Sequence, residues 1–274
     1  MAIKRLPNRR AMLAAGLAAT ALPLLRAGPA RAEDTPTTPP RRIVFVVSNP
    51  AVMAPDNAPL GYWLPELAHP AWAFAQQGWA LTFASPEGGP VRHDAMSDPD
   101  GGRFANPRDY VSWGFKSAPA VAADLAATRP LSAVRADDFD AIFVVGGFAP
   151  PTTFIGNEAL HKLFVAFHEA GKVSAAICHG TCILLRARRP DGTLLAAGRR
   201  WTGYTNAEED VVDRVMGRRF QPFRIEDEAK RVAAGTFLQG PAYRSYTVAD
   251  GRLITGQQGS SGLATAELVI KALG

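Results

Sequence analysis

Cysteine is nearly missing from this chain. There are two among 274 residues, Cys178 and Cys182. They sit four apart on one predicted helical segment, where successive turns offer poor bridge geometry, so a disulfide-stapled scaffold is excluded. No pair of ligands stands at zinc-binding spacing, and we expect neither a metal nor a cofactor. Long apolar runs are missing too. Ala11 to Leu25, broken by Pro23, falls short of the ~20 residues a membrane span needs. No acid precedes Glu33, whereas six basic residues do. The formal charge of +5 therefore belongs to the first residues. Without those six, 24 basic residues face 25 acidic ones, and the near-neutral body gives no electrostatic case for nucleic acid. There is no internal repeat and no sign of a second domain.

The basic start is organised. Lys4 to Arg10 form a positive region, Ala11 to Leu25 an apolar one, and Ala30-Arg31-Ala32 a small-x-small cleavage site. Arg9-Arg10 resembles a twin-arginine export signal, with Asn8 where Ser or Thr is usual. We expect residues 1–32 to be a signal peptide directing the protein to the periplasm, free of the membrane after cleavage. Residues 33–41 are polar and proline-rich and read as a disordered linker before a domain over 42–274.

Within that domain, strands and helices alternate. Arg42 to Ser48, Trp79 to Ala84, Phe139 to Val145 and Val173 to Ile177 are short apolar runs of the kind buried on both faces of a sheet. Leu64 to Gln77, Ala118 to Thr128, Asn157 to Ala170, Asn206 to Met216 and Ser261 to Leu273 read as helices. Glu226-Asp227-Glu228 marks another helical stretch. Arg200 to Tyr204 reads as a strand, and Tyr243 to Ala249 with Arg252 to Thr255 as a hairpin around Asp250-Gly251. Ser85 to Lys116 reads as one long irregular loop, and loops of that length usually cover something. The alternation implies an α/β fold with a mostly parallel sheet, whose site lies at the carboxyl ends of its strands. Ser48, Gly146-Gly147 and Cys178 are three such ends.

Cys178 ends a strand and opens a helix-compatible run. That arrangement parallels a nucleophile elbow, and the helix N-terminus should favour thiolate. A cysteine nucleophile needs a base, an orienting group and oxyanion donors. His179 is adjacent, and Gly146-Gly147 can bring backbone N–H groups close to a ligand. Each feature also has a plainer reading. Gly-Gly is often only a turn, Glu66 near a helix start is an ordinary surface charge, and His69 before Pro70 is an ordinary structural histidine. Glu208-Glu209-Asp210 reads as a solvated helix face, and Cys182 as a small buried apolar residue.

In combination, the segments Gly61 to Pro70, Phe83 to Gly89, Asp140 to Gly147, Ala176 to Gly180, Thr202 to Glu209 and Leu253 to Gln257 resemble the ThiJ/PfpI superfamily, related to class I glutamine amidotransferases. The nearest branch is that of the heat-shock-protein-31-like chaperones and glyoxalase III enzymes. The resemblance spans about residues 42 to 273. It implies a flavodoxin-like three-layer sandwich, commonly a homodimer, with Cys178 as nucleophile and His179 as its base or acid partner. It makes Glu66 a carboxylic acid hydrogen-bonded to the sulfur and places the third triad acid at Glu209 or Glu208. Backbone N–H groups of Gly147 and His179 would form the oxyanion site. Where relatives continue Gly-Gly with His-Gly-Pro, this chain has Phe148-Ala149-Pro150, so a pocket donor is exchanged for an aromatic ring. The implied activity is conversion of a small carbonyl substrate, methylglyoxal, to lactate without a cofactor. A Cys-dependent amidase, peptidase or isonitrile hydratase is the alternative enzyme. A stress chaperone or thiol oxidation sensor is the non-enzymatic alternative.

Overall fold

The computed structural model describes residues 39–55, 57–232 and 235–274. The expected signal peptide and most of the expected linker lie outside the described residues.

Among the described residues, eleven strands and eight α-helices follow in order. The strands are β1 (Arg42–Val46), β2 (Ala51–Met53), β3 (Ala58–Leu60), β4 (Ala80–Ser85), β5 (Arg129–Pro130), β6 (Ala141–Val144), β7 (Val173–Ile177), β8 (Arg200–Trp201), β9 (Thr236–Phe237), β10 (Thr247–Asp250) and β11 (Leu253–Gly256). The helices are α1 (Leu64–Gln76), α2 (Tyr110–Ser117), α3 (Pro119–Ala126), α4 (Pro150–Thr153), α5 (Glu158–Glu169), α6 (Asn206–Met216), α7 (Ile225–Val232) and α8 (Gly262–Leu273).

Seven strands form the main sheet in the order β10-β11-β7-β6-β1-β4-β5. All pairs are parallel except β10 with β11. Counted along the chain, the five longer parallel strands β1, β4, β6, β7 and β11 stand in the flavodoxin order 2-1-3-4-5. The crossover from β1 through α1 to β4 runs one way along the sheet, and that from β6 through α5 to β7 runs the other. Right-handed crossovers therefore put α1 and α5 on opposite faces. This burial on both sides explains why β6 and β7 are wholly buried and, apart from Ser174, apolar. The chain order reverses between β1 and β6, and in such sheets a crevice opens at that switch point.

Several expectations change. The supposed loop from Ser85 to Lys116 contains α2, whose start is capped by the Asp109 carboxylate accepting from Ser112 N–H. Gly114 inside it and Pro107 just before it hid the helical pattern. The helix behind Cys178 is a 3₁₀ run, Cys178–Leu185. Arg200 to Tyr204 shortens to β8, which pairs with β9 and not with the main sheet. Tyr243 lies outside the hairpin, in a left-handed conformation with φ 57°. No helix among the described residues is long and apolar enough to cross a membrane.

Candidate active site

Three strand ends deliver the site. After β7, Cys178 takes φ 56°. A left-handed conformation costs a residue with a side chain roughly 1–2 kcal/mol, so it persists only where surrounding structure imposes it. The turn throws Sγ out of the sheet and lets the adjacent ring reach it. His179 Nδ1 lies 3.4 Å from Sγ. On the far side of the ring, Nε2 donates to Glu209 Oε1 at 3.0 Å. With Nε2 holding its proton against a carboxylate, Nδ1 presents its lone pair to the thiol. His179 and Glu209 are each about 1% exposed, so this pair is little screened by solvent. The three-acid run is thus not a solvated face, for only Asp210 reaches solvent, where it meets Arg224.

Glu208 does not share this role. Its carboxylate accepts from Thr205 N–H and Oγ1, Gln257 Nε2 and Tyr243 N–H. Those bonds tie the start of α6 to the strained turn at Tyr243. Glu208 is a structural anchor, it is not among the residues lining the cavity, and of the two candidate acids it is Glu209 that meets His179.

Glu66 comes from the first turn of α1, yet it is 1% exposed and not a surface charge. Burial pushes its carboxyl up to about 8, against the pull of Cys178 and the Gly146 N–H. Its buried Oε2 has no hydrogen-bond partner among the described residues. Burial likewise pushes the Cys178 thiol well up, and an ionised Glu66 would push it further. Burial therefore opposes the thiolate that the helix start would favour. Near neutral pH the Glu66 carboxyl beside it keeps its proton.

Glycine is required between them. A Cβ on Gly146 would lie 2.4 Å from Glu66 Oε2 and 2.6 Å from Cys178 Cβ. Gly147, at φ 122°, packs against the Gly61–Trp63 backbone, and its N–H has no protein acceptor among the described residues. Cys182 is wholly buried, with Sγ directed at Pro150 O at 3.6 Å.

These groups open into one cavity of about 740 Å³. Its wall includes Phe104, Asn106, Asp109 and Tyr110 from the 86–117 segment, so that segment does cover the site. His69 fixes it in place, donating from Nε2 to Asp109 at 2.9 Å. Burial alone would raise the Asp109 carboxyl, but hydrogen bonds from Ser112 and His69 outweigh it and hold the group low.

Three features escaped sequence reading. Asp94 is a second buried carboxyl, raised by burial to about 6 and within electrostatic reach of His179. Tyr204 lies tilted against His179 with ring centroids 4.2 Å apart, and its hydroxyl meets that of Tyr243 at 3.3 Å. Thr-Gly-Tyr was a signal for Tyr204, whereas nothing local marks Asp94 or Tyr243. Among the described residues, no group of three His, Cys, Asp or Glu side chains is placed to hold a metal.

Known proteins resemble this chain in sequence and in fold. The chain is 29% identical over 224 residues to "Glyoxalase 3" of Candida albicans, covering 79% of this chain and 91% of that protein. It is 27% identical over 240 residues to "Glutathione-independent glyoxalase HSP31" of Saccharomyces cerevisiae, covering 86% and 98%. Two solved structures share the fold. One is the Rapid Encystment Protein 24 KDa of Francisella tularensis, with a TM-score of 0.77, 24% identity and coverage of 85% and 99%. The other is glyoxalase III from Candida albicans, with a TM-score of 0.72, 23% identity and coverage of 85% and 97%. A profile of the DJ-1/PfpI family matches residues 114–272, more than half of the chain and inclusive of the cysteine elbow. The chain belongs to the DJ-1/PfpI family.

Proposed function

We propose that this protein is a glutathione-independent glyoxalase that converts methylglyoxal to lactate. The observation that carries the reading is the relay Glu209–His179–Cys178 set against a carboxyl that stays protonated near neutral pH. Two glyoxalase relatives matched over most of the chain support it.

In this scheme His179 Nδ1 takes the thiol proton as Sγ adds to the aldehyde carbon, giving a hemithioacetal. Glu209 steadies the imidazolium that forms. The Gly147 N–H is free to meet the oxyanion. His179 then moves the hydrogen of the former aldehyde carbon, as a proton, to the neighbouring ketone carbon by way of an enediol. The result is a 2-hydroxyacyl thioester. Water cleaves it, releasing lactate and the thiol. One carbon is oxidised and its neighbour reduced, so the sum is methylglyoxal plus water and no outside oxidant is needed. Glu66 keeps its proton and donates it in a hydrogen bond to Sγ.

The purified protein should form D-lactate from methylglyoxal without glutathione, and Cys178→Ala should form none. Absence of lactate with folded wild-type protein overturns the assignment. The tripartite N-terminal pattern supports export to the periplasm with cleavage near Ala32, and the family resemblance supports a homodimer. N-terminal sequencing of periplasmic protein and light scattering test these two points.

A further inference from the structure

The cavity is far larger than methylglyoxal requires. Five non-hydrogen atoms fill roughly 150 Å³, taking about 30 Å³ per water-sized group. The cavity offers about 740 Å³, within the range that holds drug-sized ligands. Its walls are also specific in kind. Trp63, Phe104, Tyr110, Phe148, Tyr204 and Tyr243 line it, six of 22 lining residues, while aromatics make up 9% of the chain. The excess places rings around the nucleophile and not merely in the core.

The rings form a continuous path outward from the reacting atoms. His179 lies 5.6 Å from Phe148, Phe148 lies 5.3 Å from Trp63 edge-to-face, and Trp63 lies 6.4 Å from Phe104. Tyr110, 77% exposed, is an apolar face held at the rim. Of the ionisable groups in the wall, His69 and Asp109 bond each other at 2.9 Å, and Glu66 and Arg108 also line it. The Trp63 indole N–H has no protein acceptor among the described residues, leaving a donor near the site. Offset and edge-on contacts with such walls favour an aromatic guest over a methyl group.

We infer that the preferred substrate of this site, on the glyoxalase reading above, is an arylglyoxal, with its ring on the path Phe148–Trp63–Phe104 and its aldehyde carbon against Cys178. The chemistry balances as before: phenylglyoxal plus water gives mandelate, with hydrogen moving from the aldehyde carbon to the ketone carbon.

The test compares phenylglyoxal with methylglyoxal, reading release of mandelate and lactate so that side reactions of the dicarbonyls with arginine are not counted. Wild type should show a kcat/KM at least about tenfold higher for phenylglyoxal. Phe104→Ala and Tyr110→Ala, both distant from the sulfur, should each lower that ratio several-fold. Equal or faster turnover of methylglyoxal by wild type overturns the inference and leaves the glyoxalase reading standing. An unchanged ratio in both variants, with unaltered melting, also overturns it. No acid from either substrate, from protein with an intact thermal transition, removes the glyoxalase reading itself.

Discussion

Replacing Glu66 by Gln isolates the contribution of the buried proton. In wild type, burial lifts the Glu66 carboxyl to about 8, so it is neutral at pH 7 and negative above pH 8. Its Oε2 and Cys178 Cβ lie within 2.4 and 2.6 Å of one point above Gly146, hence at most 5.0 Å apart. Two negative charges about 5 Å apart repel by about 3 kcal/mol at an effective dielectric constant of ~20, equivalent to about two pH units. Ionised Glu66 therefore opposes the sulfur anion by that amount. Wild-type kcat/KM should hold steady to about pH 8 and then fall roughly tenfold per unit, about 100-fold in all. Glu66→Gln keeps an N–H donor but cannot ionise. Its rate at pH 7 should stay within about tenfold of wild type, and its basic limb should vanish. The same proton is linked to folding. A carboxyl raised from 4.5 to about 8 adds stability that is complete below pH 4.5 and lost as pH rises through 8. Relative to Glu66→Gln, wild type should lose up to about 5 kcal/mol across that window. Steady-state rates from pH 5 to 10, with denaturant unfolding at pH 5 and 8, check both statements. A basic limb near pH 8 that persists in Glu66→Gln refutes the reasoning.

Glu209→Gln should cut kcat by about 10²- to 10³-fold, because the amide neither holds the His179 tautomer nor stabilises the imidazolium; a loss under threefold in single-turnover measurements goes against the relay. Cys178→Gly should be more stable than Cys178→Ala by about 1 kcal/mol, since glycine takes φ 56° without strain; equal unfolding midpoints argue against imposed strain at the elbow. Asp109→Ala removes the α2 cap and the partner of His69, so stability should fall by about 1–2 kcal/mol and proteases should cut near residues 100–117 sooner. In wild type the lowered Asp109 carboxyl adds stability above its unfolded value near 3.8 that is lost as pH falls through the native one. The variant should lack that acid-side loss in denaturant titrations.

Much of this molecule was legible in order along the chain. The apolar runs at β1, β6 and β7 announce strands covered on both faces, because only burial on both sides removes the need for polar alternation. A cysteine placed directly after such a run announces an elbow, and the six spaced motifs announce the family. Fold class follows from the local pattern, whereas it is the resemblance that singles out Cys178, His179 and Gly147.

Only the tertiary structure decided how these residues behave. Between Glu208 and Glu209 the sequence is silent, since both lie in the first turn of α6. The side that faces β7 sends Glu209 to His179, and the other sends Glu208 to Gln257 and Tyr243. Glu66 looks like a surface acid until α1 docks against the sheet and α8, when desolvation makes it a neutral donor. The same burial opposes the expected charge of Cys178, because loss of water acts over the whole site whereas a short helical turn acts only at its end. Propensity and spacing are local, but protonation state and cavity shape depend on everything packed around a group, and these set the chemistry of this site.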